Sequence, residues 1–94
     1  MPVKVHVTSM LVRHLNAKPD FDVNARSIRD LLEVVDRDVG GFRDSICDET
    51  GSIRVYVNVF VNSENIAQSR EALSFPLQDG DEVYILANVA GGTV

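Results

Sequence analysis

The chain of 94 residues contains one cysteine, Cys47, so it can close no internal disulfide, and no Cys/His grouping has the spacing of a zinc site. That scarcity sets the expectation of a reducing, cytoplasmic setting. Positive charge is scarce too. Nine Lys+Arg stand against 14 Asp+Glu, for a formal net charge of −5, which leaves no basic footprint for phosphate backbones and argues against nucleic acid as a partner. No segment approaches the ~18 apolar residues of a membrane span, and the first residues lack the basic, apolar, small-residue order of a leader, so neither a membrane nor export is expected. Internal repeats and low-complexity stretches are absent. With 45% apolar and 24% charged residues the usage is that of ordinary globular domains, not of collagen-like or wholly disordered chains. A chain of this length is expected to form one domain burying roughly 60–70% of its unfolded surface. A deep cavity for a large cofactor is therefore not expected, and function belongs on the surface or at an end.

What is present is a run of short periodic segments. Val3, Val5 and Val7 alternate with Lys4, His6 and Thr8, the two-residue period of a strand with one buried face. Ser9 to Pro19 carries Met10, Leu11, Val12 and Leu15 without a clean period and reads as a short helical turn or a folded loop. Phe21 and Val23 flank Asp22 in a short second strand able to pair with the first. Ile28, Leu31, Leu32, Val35 and Val39 then recur at helical spacing behind Ser27, a natural N-cap, and Gly40-Gly41 is expected to stop this one long helix. Phe42 and Ile46, four apart, suggest one more turn. From Ile53 the period returns to two. Ile53, Val55, Val57, Val59 and Val61 fall on one face and Arg54, Tyr56, Asn58, Phe60 and Asn62 on the other, the strongest strand pattern in the chain. Asn62 to Asn65 is turn chemistry, Ile66 to Phe75 is weakly patterned up to Pro76, and Asp79-Gly80-Asp81 turns the chain into a last strand ending near Leu86. The order strand, strand, helix, strand, weak segment, strand fits an α+β domain, one mixed sheet with one main helix packed across one face.

After that strand, Ala87 to Val94 shows neither helical nor strand period, so the domain is expected to occupy residues 1–86 and a projecting tail 87–94. The stretch from Ala87 to Gly92 spans at most roughly 20 Å when extended, enough to thread into a partner's active site. Gly91 and Gly92 lack a Cβ, so backbone there passes through a slot too narrow for other residues. Terminal residues often have no role. At a usage near 7%, however, an adjacent glycine pair falls among the last four residues of a random chain only about 1.5% of the time.

The strand Val57-Asn58-Val59-Phe60-Val61-Asn62, the turn Asp79-Gly80-Asp81 and the ending Val89-Ala90-Gly91-Gly92 together resemble the ubiquitin-like MoaD/ThiS sulfur carriers over nearly the whole chain. The run Val57 to Asn65 looks most like carriers that serve cysteine synthesis. The resemblance implies a β-grasp fold and a carrier that is not itself an enzyme. It also implies a ubiquitin-activating-type adenylyltransferase that uses ATP, with no cofactor bound by the carrier, and a synthase that accepts the sulfur. On this sequence Gly92 would bear the thiocarboxylate, Gly91 would give clearance, and Val89 and Ala90 would line the partner's tunnel. Thr93 and Val94 depart from the common pattern, which ends at the second glycine. Some relatives lose such extensions to a zinc-dependent JAMM-type peptidase. Two alternatives stand beside this reading: the small subunit of molybdopterin synthase, and a ubiquitin-like modifier or interaction module without sulfur chemistry.

Other residues give weaker signals. No nucleophile or carboxylate stands at motif spacing from His6 or His14, so both are expected to be solvent-facing or in loops. Cys47, flanked by Asp44, Asp48 and Glu49, reads as a small buried hydrophobe rather than a nucleophile. Asp79, Asp81 and Glu82 read as a solvated turn rather than a metal site. Tyr56, Phe60, Tyr84 and Leu86 alternate against the buried valines and are expected on the sheet face away from the helix, where apolar groups mark a partner site.

Overall fold

The alternating valines build the centre of the sheet. In the computed structural model, which describes residues 2–87, β1 runs Val3–Val7, α1 Ser9–Leu15, β2 Asp20–Val23, α2 Ile28–Asp38, α3 Phe42–Ile46, β3 Val57–Val61, β4 Glu64–Asn65 and β5 Glu82–Ala87. The strands form a five-stranded sheet in the order β2-β1-β5-β3-β4. β1 and β5 pair in parallel at the centre, and every other pair is antiparallel. Val3, Val5, Val7, Val57, Val59, Val61, Val83 and Ile85 are buried on one face, where Ile28, Leu31, Leu32 and Val35 of α2 and Phe42 and Ile46 of α3 cover them. This is the mixed sheet with a main helix across one face that the periodicities predict.

Local chemistry sets the element ends. The Ser27 hydroxyl caps α2 by accepting from the Asp30 amide at 3.1 Å, while the Asp30 carboxylate reaches back to the Arg26 amide at 3.0 Å. The first bond satisfies a donor left unpaired at the helix start, and the second ties the residue before the cap to the first turn. The stop differs from expectation. α2 ends at Asp38 with Val39 extended at φ −120°, and the positive φ belongs to Gly41, whose φ of +87° opens α3 instead. The undecided stretch after β1 is helical as α1 and is closed by Asn16 in the left-handed region, a conformation asparagine tolerates.

The strand expected from Ile53 to Val61 is shorter. Ile53 bridges Cys47 rather than the sheet, and the Val57 amide donates to the Arg54 carbonyl at 2.9 Å, turning the chain between them. Val55 sits in that turn 94% exposed, so its alternation with Val57 does not place it in the core. The last strand runs to Ala87, which pairs with Val57, and the rest of the expected tail lies outside the described residues. Gly80, at φ +87°, sits in the turn that feeds β5, and Asp81 fixes that turn by accepting from the Gln78 amide at 2.9 Å.

Candidate functional site

The face of the sheet that the helices leave uncovered carries an exposed patch of aromatic and aliphatic side chains. Directly opposite residues of paired strands share a face. The registers therefore set Asp20, His6, Tyr84, Phe60 and Asn65 in one row across all five strands. Leu86 lies in the neighbouring row opposite Asn58, and Lys4 lies between Asp22 and Glu82 in the row on the other side. Tyr84 is 36% and Leu86 41% exposed, and Phe60 is half-buried without joining the core. The structure thus brings three of the residues singled out by alternation, Phe60, Tyr84 and Leu86, onto one patch.

Tyr56 is not on that strand. It precedes β3 in the turn after Arg54 and lines a separate groove of about 790 Å³ with Met10, Leu11, His14, Leu15 and Ala87. The Arg54 guanidinium, also on this groove, donates to the Asp44 carbonyl at 2.9 and 3.0 Å. Because Ala87 is the last described residue, the groove opens beside the point from which the chain continues toward Gly91 and Gly92. Val89, Ala90, Gly91 and Gly92, the tail residues read from the sequence, lie outside the described residues.

His6 faces outward, as expected, and is held there by partners. It is in the middle of the exposed row, with Nδ1 2.7 Å from Asp20 Oδ1 and Nε2 3.0 Å from Glu82 Oε1. Its ring stacks on Tyr84 with centroids 4.6 Å apart and an interplanar angle of 22°. The Tyr84 hydroxyl donates to the same Glu82 oxygen at 3.1 Å. The Asp20 carboxylate, and with it Glu82, raises the His6 pKa above its usual 6.5 against the opposing effect of burial. Reciprocally, His6 first and Tyr84 second lower the Glu82 pKa from 4.5, and Glu82 raises that of Tyr84 above 10.0. Asp20 is 14 and Glu82 76 residues from His6, so no local motif reveals this cluster. The only sequence signal is the β1 alternation that sends Lys4 and His6 outward.

The remaining candidates are accounted for locally. Cys47 is buried, and that burial raises its thiol pKa above 9.0, which disfavours the thiolate needed for reactivity. Asp81 Oδ1 accepts from the Asn62 side chain at 3.3 Å, and Glu82 faces His6, so these two carboxylates serve the turn and the sheet. Among the described residues no group of three or more His, Cys, Asp or Glu side chains is arranged to hold a metal ion. No helix among them is long and apolar enough to cross a membrane.

The sequence pattern of the ThiS family matches residues 11–92, from within α1 to the second glycine of the pair. The chain belongs to the ThiS family. This ThiS-family chain is 27% identical over 94 residues to the sulfur carrier protein CysO of Mycobacterium tuberculosis, covering 98% of this chain and 100% of the relative. A putative sulfur carrier protein of Archaeoglobus fulgidus is 27% identical over 73 residues, covering 78% and 82%. Among solved structures, a chain of the Amycolatopsis orientalis BexX/CysO complex matches with a TM-score of 0.82 at 26% identity, over 96% of this chain and 99% of that one. The small archaeal modifier protein 1 of Methanosarcina acetivorans matches with a TM-score of 0.75 at 26% identity, over 96% and 95%. The ubiquitin-like β-grasp expected from the resemblance is the observed fold, and the family is that of the ubiquitin-like sulfur carriers.

Proposed function

We propose that this chain carries sulfur as a thiocarboxylate on Gly92, formed after Thr93 and Val94 are removed. The observation that supports the reading most directly is the ThiS-family match that runs through Gly91 and stops at Gly92, together with relatives named as sulfur carriers over their full length. A carboxylate resists nucleophilic attack because it is anionic, and adenylation splits one hard substitution into two easier ones. The freed Gly92 carboxylate oxygen attacks the α-phosphorus of ATP and pyrophosphate leaves. Hydrosulfide then attacks the acyl carbon of the mixed anhydride and AMP leaves, giving the thiocarboxylic acid. A ubiquitin-activating-type adenylyltransferase performs both steps, a JAMM-type metallopeptidase exposes Gly92, and a sulfur-accepting synthase takes the product. The chain itself is the carried co-substrate and binds no cofactor.

Phe60, Tyr84 and Leu86 form the surface on which the adenylyltransferase and the sulfur-accepting synthase dock, with Val89 and Ala90 lining the passage to the partner's active site. Likeness to CysO at 27% identity supports cysteine or a related metabolite as the destination of the sulfur, and the single cysteine is consistent with the reducing, cytoplasmic setting expected above. A second reading, a modifier joined to other proteins through Gly92, is favoured by the likeness to the small archaeal modifier protein 1.

The test is the intact mass of the protein isolated from its native host during sulfur demand. Loss of Thr93 and Val94, with one oxygen exchanged for sulfur, is the expected result. A mass that stays at full length throughout would overturn it, and a mass raised by an attached protein would favour the modifier.

A further inference from the structure

An ionised carboxylate accepts hydrogen bonds and donates none, so two such groups facing both nitrogens of one imidazole demand a proton on each nitrogen. That is the situation of His6. Asp20 reaches Nδ1 from β2 and Glu82 reaches Nε2 from β5, each within hydrogen-bond distance, and only the imidazolium satisfies both. A neutral ring has one N–H, and its other nitrogen would turn a lone pair toward an oxygen lone pair about 3 Å away.

The same imidazolium holds Tyr84 in two ways. It lies over the phenol ring, where a cation is attracted by the negative face of the aromatic. It also anchors Glu82 Oε1, the atom to which the Tyr84 hydroxyl donates. Both holds weaken when the proton leaves, because the cation and one N–H disappear together. The charged and titratable groups facing this position are Asp20 and Asp22 from β2, Lys4 beside it on β1, and Glu82 and Tyr84 from β5. From β3 the row contributes Phe60, which carries no charge.

We infer that His6 is a positioning residue of the docking face: its imidazolium, gripped by Asp20 and Glu82, fixes the Tyr84 ring beside Phe60 and releases it on deprotonation. The inference rests on the reading of Phe60, Tyr84 and Leu86 as the docking surface, and it makes that surface sensitive to pH above 6.5.

An NMR titration of the isotope-labelled full chain, from mildly acid to mildly alkaline pH, tests it without a partner. The His6 ring resonances should titrate with a midpoint above 6.5, and the Tyr84 ring resonances should follow with the same midpoint. Asp20→Asn should lower that midpoint. His6→Phe, which keeps a stacking ring and removes the proton, should flatten the Tyr84 profile over this range while the buried valine methyl resonances stay in place. If His6→Phe does not fold, Asp20→Asn carries the comparison, since it leaves the histidine present. A midpoint at or below 6.5, or a Tyr84 ring that does not move with it, overturns the inference. Failure of the docking reading appears elsewhere, as undiminished partner binding by a variant at Phe60 whose His6 still titrates with Tyr84.

Discussion

Phe60 and Tyr84 meet across β3 and β5, on the face that α2 and α3 do not cover. A half-buried apolar side chain there gains less from burial than one in the core, and the docking role proposed for this face draws on the surface it leaves open. Phe60→Asp is therefore expected to leave the thermal midpoint within a few degrees of the parent. It should lower thiocarboxylate formation by the activating enzyme at least about tenfold, which corresponds to roughly 1.4 kcal/mol. Unfolding of the variant would show instead that Phe60 belongs to the core. Alternation made Phe60, Tyr84 and Leu86 legible as a group, because a two-residue period assigns faces without knowing what covers them. Tyr56 escaped that logic. It lies inside the turn from Arg54 to Val57, one residue before β3 begins, and that turn has no Gly or Pro to announce it.

At the level of elements, α2 shows how far local chemistry reaches. Its apolar spacing and its Ser27 cap are both readable in the sequence, and both are present in the structure. Removing the cap hydroxyl with Ser27→Ala should lower stability by about 1 kcal/mol, since the Asp30 amide loses its acceptor. In a domain of this size that is a fall of about 4–8 °C in melting temperature. Leu31→Ala, at a side chain with no exposure, should lower stability by about 2–5 kcal/mol because it leaves a cavity between α2 and the sheet. Urea unfolding of both variants with an unchanged slope would check the ranking. The end of α2 was less legible. Gly40-Gly41 matches a helix stop, yet the left-handed glycine serves the start of α3, because the Asp36 carboxylate accepts from the Arg43 amide at 3.0 Å and ties the two helices through that turn.

For the whole molecule the outer-face network sets a pH dependence of folding. His6 has its pKa raised above 6.5 by Asp20 and Glu82, so its contribution is complete below 6.5 and is lost as pH rises through the folded-state value. Glu82 is lowered from 4.5 by His6 and Tyr84, and Asp48 from 3.8 chiefly by the Thr50 hydroxyl. Their contributions are complete above 4.5 and 3.8 and are lost as pH falls through the lowered values. Thermal unfolding across pH should therefore show greatest stability between about 4.5 and 6.5. Asp20→Asn should flatten the decline on the neutral side, and a wild-type midpoint that keeps rising through pH 7 would contradict the assignment.

The sequence by itself determined four of the five strands, the main helix with its cap, most of the buried set and the glycine pair, because each depends on a period or on chemistry within a few residues. The family resemblance followed from those same local features. Only the tertiary structure decided that β1 lies beside β5, joining residues from the two ends of the domain in parallel. That pairing brings His6 to Glu82 and Tyr84, and the β1–β2 pairing brings it to Asp20. A cluster assembled from three strands is set by sheet order and register, and neither is written in the spacing of the residues that form it.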